Sequence, residues 1–454
     1  MLKLTTLRGP ILNPQPNGSV QYFPDGALQW DESGQITYVG AAAALPPGGP
    51  PQTHSLGIIL PPFLDCHIHI PQWPIRGKFC EGIIGNPPEG RLLAGLNRNV
   101  FPYEARCSDS EHVAATVAQF QQDTLSHGVV GGAAYMTVHA HATATALRSL
   151  PKEWSVGMVL MNMNCPENLR TDESNLERDI ESLAAEFGHR SIVTDRFAVA
   201  VDSPLRRRAV ALAEKLNLRL QTHLNEQLRE KRFVEQTLYP QAQNYTDVYH
   251  RDGLLRPRSI MAHCIHMSET EFDQLVAARA MIAHCPTSNS LLGSGIMPLD
   301  SVIEKNIPYA ICTDVGASPT TSILNEMAQF LKVHAGRSKY ATPSEALYRT
   351  TLAAAEMLGL ADHLGTFAIG RPASFIEVRS PTSATTADEA ILQGILEMPL
   401  PELPESAALV TGTLEAGPQL DAITQDCQQT AARLDQKVCR VTLSGKTVWE
   451  KNAE

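Results

Sequence analysis

The expected fold class is α/β: a (β/α)8 TIM-like barrel joined to a small β domain built from both chain termini. Three observations predict it. From Ile58 onward, apolar runs alternate with helical stretches about eight times, the order a parallel barrel requires. Those runs are apolar on both faces, as strands covered by helices must be, and their polar residues collect at the C-terminal ends. Short β-like pieces bounded by turn residues occupy both ends of the chain.

In chain order, residues 1–57 carry ALQW and QITYVG, separated by the turn signals DESG and PPGGP. The first barrel strand is expected over 58–70 (IILPPFLDCHIHI) and the second over 129–138, after the helical EHVAATVAQFQQDTLSHG. The third is expected over 154–164 and the fourth over 192–201, after the acidic helix TDESNLERDIESLAAEFG. The remaining four fall at 218–226, 259–267, 280–289 and 308–318. Helical segments then run to about Gly359, followed by GTFAIGRPASFIEV, read as a turn-rich strand pair, and by a last strand candidate over 437–450. The division is therefore 1–57 and 366–454 for the composite β domain and 58–365 for the barrel. Within 380–436, only TQDCQQTAARLDQ has a readable pattern, which is helical.

Composition excludes several classes. The chain has 454 residues, 43% hydrophobic and 19% charged, as in a globular protein with a substantial core. A formal charge of -11 opposes a nucleic-acid partner, because binding a phosphate backbone needs clustered Lys and Arg. A small molecule is the expected partner. No segment reads as a secretion signal or a membrane span, so a cytoplasmic location and no membrane partner are expected. The nine cysteines are odd in number and lack a CxxC pair, which argues against a disulfide framework. Cys285-Pro286 also reverses the Pro-Cys order of the compact zinc deaminases of nucleosides.

Catalytic groups in a parallel barrel come from the C-terminal ends of different strands. Here those ends carry His67, His69, Arg196, His223, Glu226, His263 and Asp314. His67 and His69 are one residue apart on a strand, so both side chains point to the same face and can reach one ion. Neutral imidazole suits zinc, and His223 with Asp314 would complete a protein ligand set that leaves a position for water. A single histidine at a strand end is ordinarily a structural hydrogen-bonding residue. Four of them with two acids form a constellation. The second HxH, His139 and His141, precedes the helix-prone ATATAL and is expected to be structural or to line a loop, and His266 and His284 have no clear role.

The set FLDCHIHIPQ, HLNE, MAHC, IAHCPTSN and CTDVGAS resembles the amidohydrolase superfamily, specifically its aminohydrolase branch, and within it the guanine deaminases. FPYEAR, VTDRF, NYTDVYHRDGLL and GSGIMPLD extend the resemblance, which covers roughly 55–375. It implies that His67, His69, His223 and Asp314 bind one Zn2+ per subunit, with Fe2+ as an alternative, and that Glu226 shuttles protons. It implies that His263 orients the attacking water, that Asp314 also acts catalytically, that Gln72, Arg196 and Phe197 contact the heterocycle, and that the protein is a homodimer. Strand four ends without lysine, so the carboxylated lysine of two-metal relatives has no counterpart.

The chemistry of the residues agrees with the resemblance. Removing an exocyclic amine from an aromatic amidine needs a nucleophile at neutral pH, which a metal supplies by acidifying water. A carboxyl group must also protonate the ring nitrogen, and Glu226 is the candidate. Arg196 offers a fork of donors, Phe197 a stacking face, and Gln72 a donor with an acceptor for a lactam edge. Three departures concern the substrate: the long Gly- and Pro-rich loop over 73–95, Gly95 where guanine deaminases usually have tryptophan, and GVVGG in strand two where a threonine run is usual. Cys66 likewise replaces a typical threonine. The expected function is deamination of guanine to xanthine and ammonia. The alternatives are deamination of another aminoheterocycle, such as 8-oxoguanine, a pterin, isocytosine or a triazine, and a binding module without turnover.

Overall fold

The computed structural model describes residues 3–46, 51–83, 87–380, 384–399 and 418–451. Two eight-stranded sheets organise them. The N-terminal segment supplies β1 (Leu4–Pro14), β2 (Val20–Asp31), β3 (Ile36–Ala41), β4 (Gln52–His54) and β5 (Ile58–Leu60). Eight parallel strands follow: β6 (Phe63–His69), β7 (Val129–Tyr135), β8 (Trp154–Leu160), β9 (Ser191–Asp195), β10 (Arg219–Leu224), β11 (Ile260–His263), β12 (Met281–His284) and β13 (Tyr309–Ile311). The chain then returns to the first sheet through β14 (Phe375–Val378), β15 (Val438–Leu443) and β16 (Lys446–Glu450). That sheet runs β16-β15-β14-β5-β1-β2-β3, with β4 on β1, so the two chain ends do share one sheet.

The run expected as one strand over 58–70 is two. Ile58–Leu60 pairs with β1 and antiparallel with β14, whereas Phe63–His69 pairs with β7. Pro61 and Pro62 separate them, because neither offers an N–H to a ladder. The barrel therefore begins at Phe63, and the boundary placed at 58 moves past Leu60. In GTFAIGRPASFIEV the structure forms one strand, β14, and not a pair. The last candidate, in turn, is a hairpin whose turn residues Ser444 and Gly445 both have positive φ, 48° and 75°, as a type I′ turn demands. The helical reading of TQDCQQTAARLDQ falls in the helix Pro418–Leu434. Residues 400–417 of the unplaced stretch lie outside the described residues.

Strands β6 to β9 and β11 to β13 are buried along their whole length, which explains runs without polar alternation. The helices between them begin at legible caps. Asp109 accepts from Glu111 N, Asp202 from Leu205 N, and Ser268 with Glu271 forms a reciprocal capping box. The ladder joins β6 to β13 in order, and two hydrogen bonds past the end of β13 close the ring: Asp314 N donates to His67 O (2.9 Å) and His69 N to Val315 O (2.7 Å).

The glycines of strand two follow from close approach. A Cβ on Gly132 would lie 2.0 Å from Asp65 O on the neighbouring strand, and one on Gly131 would lie 2.6 Å from Glu153 O. A threonine cannot stand there without moving backbone. We expect Gly132→Ala to lower unfolding free energy by about 1–3 kcal/mol, the usual range for overpacking, read from the urea midpoint.

Candidate metal centre

The C-terminal mouth of the barrel collects the donors. His67 and His69 come from β6, His223 from β10, and Asp314 from the turn three residues beyond β13. One ligand atom from each of the four lies within 4.8 Å of all the others. His67 Nε2 and His69 Nε2 are 3.2 and 3.1 Å from Asp314 Oδ1, and the Nε2 atoms of His69 and His223 are 3.4 Å apart. His223 Nδ1 donates to the Arg196 carbonyl, which turns its Nε2 lone pair toward the centre. Both ring nitrogens of His67 are buried without a hydrogen bond.

Electrostatics favours neutral imidazoles here. Burial pushes His67 down to about 4, and burial together with the neighbouring histidines holds His223 well below the ordinary value. Neutral His67 and His223, together with His69 and the Asp314 carboxylate, form a donor set for a cation, in the ligand types zinc takes. The four side chains offer one ligand atom each to a common centre that could hold a metal ion. One of these residues, Asp314, and the adjacent His263 sit in backbone conformations rare for side-chain-bearing residues, with φ of 53° and 72°. Such strain costs about 1–3 kcal/mol per residue and persists where surrounding bonds fix it. At Asp314 the fixing bond is the one that closes the barrel.

Beside the donors, His263 Nε2 lies 3.6 Å from Glu226 Oε2. Burial raises Glu226 to about 7. Burial opposes charge on His263, but the Glu226 and Asp314 carboxylates outweigh it and raise that imidazole above its usual value. Across the cavity stand Gln72, Arg196 and Phe197, the last with its ring centroid 6.3 Å from that of His223. Every predicted site residue thus lines or adjoins one small cavity. His139 and His141 lie apart from it at the start of the helix Ala140–Ser149. His266 binds the Ser294 carbonyl, and His284 meets His334 at 3.1 Å.

Sequence reasoning missed the bracing residues. The segment after β12, the helix Pro286–Leu291 and the residues just past it, holds three groups at once. Ser288 Oγ donates to Asp314 Oδ2 (2.5 Å), Asn289 Oδ1 accepts from His263 Nδ1 (2.9 Å), and Ser294 Oγ donates to Glu226 Oε1 (3.1 Å). Glu104 binds both Gln72 Nε2 (3.0 Å) and Arg196 Nη1 (2.6 Å). Tyr249 donates to the His223 carbonyl, and Tyr245, four residues earlier on the same helix, donates to Glu230. All were inside segments flagged by resemblance, namely CPTSN, GSG, FPYEAR and NYTDVYH, but their partners are distant in sequence. Phe79 from the long loop and Leu92 and Leu96 from the helical segments Arg91–Gly95 and Leu96–Val100 line the cavity, and a Cβ on Gly95 would fall 2.4 Å from the Phe79 ring. The phenyl group thus occupies the space a side chain at 95 would need.

Comparison with known proteins gives a consistent picture. The amidohydrolase family model matches residues 58–417. A probable guanine deaminase of Deinococcus radiodurans is 32% identical over 395 residues, covering 81% of this chain and 86% of that one. The guanine deaminase of Escherichia coli is 32% identical over 391 residues, covering 82% and 85%. The solved E. coli guanine deaminase superposes with a TM-score of 0.78 at 26% identity, over 99% of this chain and 100% of that one.

Replacing His67 or His223 by Ala should lose the bound metal, whereas Glu226→Gln should keep it. Elemental analysis of the three purified variants decides this, and equal metal content in all three would refute the division.

Proposed function

Because this chain belongs to the amidohydrolase family, we propose that it is a zinc-dependent guanine deaminase, converting guanine and water to xanthine and ammonia. The observation that carries the reading is the buried His67, His69, His223 and Asp314 cluster, set beside Glu226 and His263 and facing Gln72 and Arg196 across one small cavity. His67, His69, His223 and Asp314 would hold the zinc, which when bound would supply water acidified to a pKa of about 7.

The protein's own residues handle the protons. Glu226, raised to about 7 by burial, is able to take a proton and return it at neutral pH. It receives the first proton of water as oxygen bonds to C2, and delivers it to ring nitrogen N3, where charge develops. His263 orients the attacking oxygen, its Nδ1–H held by Asn289, so that Nε2 faces the reaction. Asp314 and His263 then carry the second proton to the amine. The C2–N bond breaks, ammonia leaves, and C2 becomes a carbonyl. Phe197 stacks on the ring while Gln72 and Arg196 hold the edge away from the metal.

One observation favours a second substrate reading. Phe79, which lines the cavity, stands where a side chain at Gly95 would, and this departure from the guanine deaminase pattern keeps another aminoheterocycle, such as 8-oxoguanine, a pterin, isocytosine or a triazine, as the second candidate. We also propose a cytoplasmic homodimer. The nine cysteines are all free, in keeping with a reducing compartment, and no helix among the described residues is long and apolar enough to cross a membrane.

Ammonia release across that panel should be fastest with guanine, with xanthine formed one-to-one. Inert guanine beside an active alternative would shift the assignment to the second reading. Glu226→Gln should lower kcat by about 10²–10⁴-fold with metal retained, the range for losing a positioned acid–base group. Asn289→Leu, which leaves His263 Nδ1 without its acceptor, should lower kcat by about tenfold at unchanged metal content, in steady-state assays.

A further inference from the structure

The two residues assigned to the substrate edge share a partner that has not been given a role. Gln72, Arg196 and Glu104 are each at least 97% buried. The Glu104 carboxylate spans the other two, receiving Gln72 Nε2 at Oε1 (3.0 Å) and Arg196 Nη1 at Oε2 (2.6 Å). Glu104 belongs to the single helical turn Phe101–Glu104, and Phe101 of the same turn lies under the Arg196 guanidinium, 5.1 Å from ring centroid to Cζ. One short segment therefore fixes Arg196 from two sides.

A carboxylate only accepts hydrogen bonds, so its contact with Gln72 determines which way that amide is turned. Nε2 must face Glu104, and Oε1 is left as an acceptor whose only hydrogen bond among the described residues is a long one from Gly316 N, at 3.4 Å. Arg196 has no acceptor atoms. With Nη1 engaged, its Nε and Nη2 donors remain for a ligand. The wall thus presents an acceptor beside donors.

We propose that Glu104 is a positioning residue that sets this polarity, so that the cavity reads an HN–C=O edge, with the ring N–H to Gln72 Oε1 and the carbonyl oxygen to Arg196. A 6-aminopurine edge, N=C–NH2, presents the reverse pattern and leaves the acceptor and the donors opposite like groups. The proposal rests on the purine reading above and deepens it. It makes Glu104, which touches no substrate, the residue that separates 6-oxo from 6-amino rings.

The test is calorimetric binding of hypoxanthine, which carries the lactam edge, and of adenine, which carries the reverse, to the metal-loaded wild type, Glu104→Gln and Glu104→Asp. The wild type should prefer hypoxanthine by at least about tenfold, since a mismatched edge leaves buried polar groups unpaired. Glu104→Gln, whose amide can meet Gln72 in either orientation and no longer neutralises Arg196, should bring the ratio toward one. Glu104→Asp should keep it within about threefold of wild type, because the carboxylate is retained. A wild type that binds the two equally overturns the proposal. So does a folded, metal-replete Glu104→Gln with the wild-type ratio, or a Glu104→Asp that loses as much as Glu104→Gln. Should Glu104→Gln fail to fold, the wild-type preference still decides the polarity. Failure of the deaminase reading is separate, appearing as no ammonia from guanine with the wild-type enzyme.

Discussion

Barrel closure and metal-site assembly are one event in this protein. The last barrel strand ends at Ile311, yet the chain continues alongside β6 for a few more residues, and the two bonds that join them, Asp314 N to His67 O and His69 N to Val315 O, involve three of the four metal donors. The backbone that closes the ring therefore carries the ligands. His67 and His69 cannot shift against Asp314 without breaking these bonds. This is the reason a left-handed φ at Asp314 is tolerated, because sheet hydrogen bonding holds what local preference would reject.

The electrostatics of the mouth follow from burial. His67 and His223 stay neutral because a charge there would be unsolvated, and neutral imidazoles keep lone pairs free to bind a cation. The same burial raises Glu226 to about 7, which gives a carboxyl group that holds and releases a proton near neutrality. A low-dielectric pocket thus prepares a metal site and an acid–base group by one mechanism. Around them, Ser288, Asn289 and Ser294 hold Asp314, His263 and Glu226 in place, so the one short segment that follows β12 orients all three.

The barrel and the donor set were legible because each rests on short-range pattern. His67 and His69 announce themselves by spacing, and the strand ends of β6, β10, β11 and β13 collect the rest. Errors fell where tertiary pairing overrules pattern. Ile58–Leu60 is apolar like any barrel strand, and only its partners Ile11 and Glu377 show which sheet it joins. Gly132 looked like a departure from a threonine run until the Asp65 carbonyl was found within reach of its absent Cβ. Glu104 reads as one more acid in FPYEAR, since Arg196 is 92 positions away.

By itself the sequence determined the α/β order and which polar residues stand at the strand ends, His67, His69, His223, Glu226, His263 and Asp314 among them, because alternation of apolar runs and residue types at strand ends are local properties. The tertiary structure alone decided the closure that fixes the donors, the place of Phe79 where a side chain at Gly95 would stand, and the partnership of Glu104 with Gln72 and Arg196. The physical reason is that hydrogen-bond polarity and shape complementarity depend on which side chains meet across the barrel. No spacing along the chain encodes that meeting.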